Sequence, residues 1–164
     1  MKELPVLYTE RCVMSRITAE NIPVLRQILD DELTQKYLSE LQSFVCTNEG
    51  IERILTSFDT LLKQDEGMIW GIRLAEKLIG FLAFIDLSCK PTVFYAIHPS
   101  YRSKGYMKDC LSQSIQYVLN NGMCSYVQTE VHNENVTSIR ILQSVGFKIM
   151  KKDKGKMYLQ IMYH

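Results

Sequence analysis

The sequence predicts an α/β fold, a mixed and largely antiparallel sheet flanked by helices. Three observations lead there. Along the chain the apolar period switches repeatedly between the 3.6-residue spacing of helices and the two-residue spacing of strands. Residues 68–87 and 148–164 each hold two strand-like runs back to back, and only antiparallel strands can be joined by so short a turn. Residues 93–131 read as strand, loop, helix, strand, which calls for a right-handed parallel crossover.

At 164 residues, 46% hydrophobic, the chain suits one globular domain over residues 1–164 with a sizeable core. Nineteen Lys and Arg against eighteen Asp and Glu leave a net charge of +1, without the global basic field that drives binding to nucleic acid or an anionic membrane. Any anion site must therefore be local. The first residues form no signal peptide, and no run approaches the ~20 apolar residues of a membrane span, so a cytoplasmic protein is expected. Five cysteines, an odd number without Cys-x-x-Cys spacing, argue against a disulfide framework and against a metal site. They are expected to be reduced and mostly buried.

The elements follow in order. "RCVMSRI" reads as a strand. In "TAENIPVLRQILDDELTQKYLSEL", Ile22, Leu25, Ile28, Leu29 and Leu33 recur at helical spacing, with Thr18 as a cap and a break near Asp30-Asp31. A second helix sets Ile51, Ile54, Leu55, Phe58, Leu61 and Leu62 on one stripe behind Thr47 and Asn48, and stops at Gly67. "MIWGIRLAEKLIGFLAFIDL" is a hairpin turning near Glu76-Lys77, and "TVFYAIHP" is a strand stopped by Pro99. The next helix carries Met107, Cys110, Leu111, Ile115, Val118 and Leu119, and ends at Gly122. "CSYVQTEVHN" is a strand, "NVTSIRILQSVGF" a helix, and the closing hairpin turns around 153–155.

The crossover places the loop Arg102-Ser103-Lys104-Gly105 at the carboxyl end of a strand and at the start of a helix. Unpaired amides and the positive end of the helix dipole would hold a phosphate there, with Arg102 and Lys104 adding charge and Gly105 permitting close approach. Read alone, the loop is more simply a turn with solvated cations. It is no P-loop and no dinucleotide fingerprint, since it has one glycine and no Gly-Lys-Ser/Thr.

A second element changes the balance. In "NENVTSIRILQSVGF", Asn135 is followed by Ser138, Arg140, Ile141-Leu142 and Gly146-Phe147. With "RSKGYM", which supplies Arg102 and Gly105 but Met107 where a small residue is usual, it resembles the GNAT superfamily of acetyl-CoA-dependent N-acetyltransferases. The Asn-x-x-Ser start is similar to the RimJ/RimL branch, whose members acetylate protein N-termini and small amines. "WGIRLAEKLIGFLAF" is similar to that family's central strands.

The resemblance implies acetyl-CoA as cosubstrate and a sheet splayed at the cofactor site after Ala96 and Ile97. The implied cofactor-binding set is Ile97, His98, Arg102, Ser103, Lys104, Gly105, Tyr106 and Met107, with Asn135 and Ser138. It also implies an amine partner, small molecule or protein N-terminus, and a monomer or homodimer. Many GNAT enzymes protonate the departing thiolate with a tyrosine where this chain has Leu142, so Ser138 is the implied donor. The strand "TVFYAIHP" has no acid, which leaves Glu130 and Tyr95 as candidate bases, with Asp86 further off. Plainer roles stand beside these: Glu130 as a solvated strand residue, Asn135 and Ser138 as helix-start caps, His98 as a loop residue valued for its N–H. Cys110, in an apolar stripe, and Cys124, at a strand start, do not look like activated nucleophiles. The alternative to catalysis is an acyl-CoA-binding or protein-interaction module on the same fold.

Overall fold

A computed structural model describes residues 2–38 and 47–162. Two short strands open the chain, β1 (Leu7–Tyr8) and β2 (Val13–Ser15), of which β1 is too brief to carry a readable period. A 3₁₀ turn, Ala19–Asn21, leads into α1 (Ile22–Leu29), and the Oδ1 of Asn21 accepts the Thr18 N–H at 3.0 Å. The break falls at Asp30-Asp31, and the Asp31 side chain caps α2 (Glu32–Tyr37). Leu33, expected among the buried positions, is 49% exposed, because α2 starts afresh with its own phase and buries Thr34 instead. The rest of that expected helical span, beyond Leu38, lies outside the described residues.

Thr47 caps α3 (Asn48–Lys63), its hydroxyl accepting from the Gly50 N–H. The hairpin β3 (Met68–Leu74) and β4 (Lys77–Ile85) turns at Ala75 and Glu76, both left-handed with φ of 49° and 70°, one residue earlier than expected. Then come β5 (Thr92–Ile97), a 3₁₀ turn (Pro99–Tyr101), α4 (Tyr106–Asn120), β6 (Tyr126–His132), α5 (Val136–Val145), β7 (Lys148–Asp153) and β8 (Lys156–Met162).

The sheet has eight strands in the order β1-β2-β3-β4-β5-β6-β8-β7, and β5–β6 is its parallel pair, as the crossover requires. Each face carries a core. On one, Trp70, Phe84, Val93, Val127 and Leu159 pack under α4 and α5 through Met107, Leu111, Ile139 and Leu142. On the other, Phe81 and Ala96 pack with Phe94 against Leu25, Ile28 and Leu29 of α1 and against Ile51 of α3. Trp70 anchors the chain's start as well: it is wholly buried, and its Nε1 donates to the Pro5 carbonyl at 2.8 Å.

Candidate active site

The site begins where β5 and β6 stop pairing. Their register is the single position Thr92 opposite Gln128, with the Gln128 N–H donating to the Pro91 carbonyl at 2.8 Å. One residue on, the Thr129 hydroxyl reaches the Val93 carbonyl at 2.9 Å, a side chain standing in for the ladder. Beyond it the two strands part. The His98 N–H points back to β4, donating to the Ile79 carbonyl at 2.7 Å. Strand alternation therefore turns the N–H groups of Tyr95 and Ile97 the other way, toward the opening. His98, expected to offer its N–H to the ligand, gives it to β4, and its Nδ1 accepts from the Ser100 N–H at 3.2 Å. It shapes the loop.

Side chains on β5 alternate too. Val93, Tyr95 and Ile97 lie on the α4/α5 face, Phe94 and Ala96 on the other. The Tyr95 hydroxyl meets the Ser138 Oγ at 2.5 Å, and Asn135 caps α5 by accepting the Ser138 N–H on its Oδ1 at 3.3 Å. Asn135 thus fills the plainer role, and that role is what presents Ser138 at the opening. Burial pushes the Tyr95 phenol up to about 12, with the Ser138 hydrogen bond pulling weakly the other way. Tyr95, expected as a candidate base, is held protonated near neutral pH and is a poor proton acceptor there.

Glu130, the other candidate base, stands on the opposite face of β6 from the buried Val127, Thr129 and Val131. Its Oε1 accepts from Lys156 Nζ and from the Tyr158 hydroxyl, each at 3.2 Å. The structure does not bring Glu130 and Tyr95 together. Asp86 sits beyond the far end of β4.

The loop forms an anion-ready helix start. Ser103 and Gly105 take left-handed φ of 62° and 84°, and Gly105 precedes the first helical residue. The first intrahelical bond runs from the Asp109 N–H to the Gly105 carbonyl, so the amides of Tyr106, Met107 and Lys108 have no helical acceptor. The Met107 side chain is 4% exposed and turned into the core, so its bulk does not crowd the loop and only its amide faces forward. Lys104 Nζ donates to the Ser100 carbonyl at 3.3 Å.

Arg102 departs from the expected anion ligand. Its guanidinium donates to Asp31 Oδ2 at 2.5 Å and to the Thr34 hydroxyl at 3.3 Å, tying the loop to α2. Burial opposes ionisation of Asp31, but Arg102, with the Thr34 N–H and hydroxyl, outweighs it and holds the carboxyl below its ordinary value. Arg11, which no motif flagged, braces the loop from the other side. It donates to the Lys104 carbonyl at 2.9 Å and to Asp109 at 3.1 Å, and stacks over the Tyr106 ring at 4.5 Å.

Cys12 and Cys110 are buried, and burial pushes both thiols up; Cys89 is exposed and Cys124 half-buried. "Mostly buried" holds for two of these four.

A parted strand pair with inward amides, a free-amide helix start at its mouth and a hydroxyl pair on one wall together suit an extended thioester with a pyrophosphate tail. Residues 11–148 match the acetyltransferase (GNAT) domain family, and the chain belongs to that family. It is an N-acetyltransferase of the acyl-CoA-dependent kind. It is 27% identical over 150 residues to the uncharacterized N-acetyltransferase YoaA of Bacillus subtilis, covering 88% of this chain and 83% of that protein. Among solved structures, the fold is shared with RimL, a ribosomal L7/L12 α-N-protein acetyltransferase in complex with coenzyme A, at a TM-score of 0.80 and 13% identity over 96% of this chain and 98% of that one. It is shared equally with a ribosomal-protein-S5-alanine acetyltransferase from Vibrio fischeri, at a TM-score of 0.80 and 14% identity over 97% of each chain. In the described residues no helix is long and apolar enough to cross a membrane.

Proposed function

We propose that residues 1–164 form one catalytic domain that moves an acetyl group from acetyl-CoA to a primary amine, by direct attack within a ternary complex. The observation that carries the reading is the parted β5–β6 pair with the Tyr95–Ser138 hydroxyls on its wall. The thioester lies between the strands, its carbonyl polarised by the β5 amides, and the pyrophosphate rests on the amides from Gly105 to Lys108. The hydroxyl pair meets the departing sulfur. The fold shared with two enzymes whose names specify ribosomal-protein acetylation favours a protein N-terminus as acceptor, with small amines as the alternative.

The test is purified protein with acetyl-CoA and two acceptor sets, peptides with free Ser or Ala N-termini and aliphatic polyamines. Thiol release and product mass are followed together. Acetylated peptide matching thiol release supports the reading. Calorimetric binding of acetyl-CoA with no release in either set would make the domain a non-catalytic acyl-CoA-binding module.

A further inference from the structure

The wall opposite the hydroxyl pair holds a group that no motif singled out. His132 ends β6 and lies on the face away from Val127 and Val131, the face on which α2 packs. Its ring stands 5.6 Å from the Tyr37 ring of α2, centroid to centroid. Its Nε2 is buried and has no hydrogen-bond partner among the described residues. An imidazole nitrogen shut off from water and left unpaired loses a hydrogen bond that the unfolded chain makes freely. Such a nitrogen is expected where a ligand group completes the bond.

Register places it. Thr92 faces Gln128, so four residues further along the parallel pair Ala96 and His132 are the facing positions. That level lies beyond the point where the strands part, at the position on β5 between the inward N–H groups of Tyr95 and Ile97. Ser138 and Tyr95 occupy the α4/α5 face of the same opening, and His132 the α2 face.

Resting on the acetyl-transfer reading above, the geometry points to His132 as the base that takes the proton from the attacking amine. The amine lone pair forms the N–C bond at the thioester carbonyl while Nε2 receives the amine's proton. The C–S electron pair leaves on sulfur, where the Ser138 and Tyr95 hydroxyls meet it, and the imidazolium gives up its proton once product leaves and water enters the opening. Imidazole is the side chain whose ordinary titration falls nearest neutral pH, where a base must accept and release a proton in each cycle. The groups around it are Tyr37 and Lys36 from α2, Glu134 after the strand, Glu130 on β6 and Lys156 on β8. Lys36 pairs with Glu134 at 2.8 Å and Lys156 with Glu130 at 3.2 Å. Glu130, exposed and paired with a lysine, is the poorer base.

The test has two arms. In wild-type protein saturated with acetyl-CoA carrying a ¹³C-labelled methyl, His132 ring protons, assigned by their loss in His132→Gln, should show a nuclear Overhauser contact to the acetyl methyl. Saturation without contact overturns the proposal and leaves the acetyltransferase reading standing; absence of calorimetric binding overturns both. In the kinetic arm, His132→Gln should lower kcat by about a hundredfold or more at neutral pH and leave KM for acetyl-CoA nearly unchanged. A variant that melts lower yet keeps kcat would make His132 a packing residue and refute the assignment.

Discussion

Replacing Ser138 with alanine separates two jobs that the hydroxyl pair could do. With the Tyr95 phenol pushed up to about 12 and a departing thiolate ordinarily near 8.5, full proton transfer from tyrosine to sulfur runs uphill by roughly three to four decades. On the proposed mechanism Tyr95 is therefore better suited to hydrogen-bonding the developing thiolate, with Ser138, than to protonating it, and solvent would complete the step. A hydrogen bond to a charged partner is worth about 1.5–3 kcal/mol, which corresponds to roughly 10- to 150-fold in rate. Ser138→Ala should thus lower kcat by about that factor, below the upper range of general acid catalysis, while acetyl-CoA affinity holds. It should also cost stability, about 1–3 kcal/mol, because the buried Tyr95 hydroxyl loses its partner at 2.5 Å. Tyr95→Phe in the same background should restore part of that stability without restoring turnover, since removing both partners relieves the unpaired group. Stopped-flow thiol release and thermal melts on the two single variants and the double variant complete the cycle. Near-wild-type kcat in Ser138→Ala beside a clear loss of Tm would reduce the pair to packing and leave the sulfur to solvent alone.

Further outcomes rest on the loop and the residues that hold it. Arg102→Ala and Asp31→Asn should weaken acetyl-CoA binding alike if Arg102 acts by fixing the loop to α2, whereas loss in Arg102→Ala alone, by calorimetry, would make the guanidinium a direct phosphate ligand. Because the folded carboxyl of Asp31 lies below its ordinary value, the stability it contributes is present above that ordinary value and lost as pH falls through the depressed one; Asp31→Asn should flatten this acid limb of Tm against pH. Gly105→Ala places a Cβ 3.0 Å from an Arg11 nitrogen at a φ of 84°, and should cost about 1–2 kcal/mol in chemical denaturation as well as acetyl-CoA affinity, with the strained backbone the larger cause because the arginine tip can shift. Met107→Ala should cost about 2–5 kcal/mol by the same denaturation assay yet leave affinity intact, since its side chain fills the core; a selective affinity change would place it at the ligand.

Much of the site was legible because it rests on local chemistry. A glycine before an apolar-periodic helix, an Asn three residues before a Ser at another helix start, and a proline closing a strand each act within a few residues, and each stands where the spacing put it. The ion pair of Arg102 and the bracing role of Arg11 could not be read locally, because their partners lie 71 and 93 residues away, Asp31 for the first and the Lys104 carbonyl for the second. Strand faces failed for another reason. Alternation shows that Glu130 and Val131 point oppositely, and that Phe94 and Tyr95 do, but it cannot relate the two strands when a helical crossover joins them. The phase is set by the Thr92–Gln128 register, and a shift of one residue would put Glu130 or His132 in place of Val131 opposite Tyr95. With the phase fixed, the chemistry divides across the sheet. The Tyr95–Ser138 hydroxyl pair, proposed to meet the departing sulfur, lies on the α4/α5 face, and His132, proposed to meet the incoming amine, lies on the α2 face. An opening between parted strands is the one part of a sheet that a thioester can reach from one side and an amine from the other. On the proposed reading, acceptor choice can vary with α2 while the acyl-CoA side stays as it is.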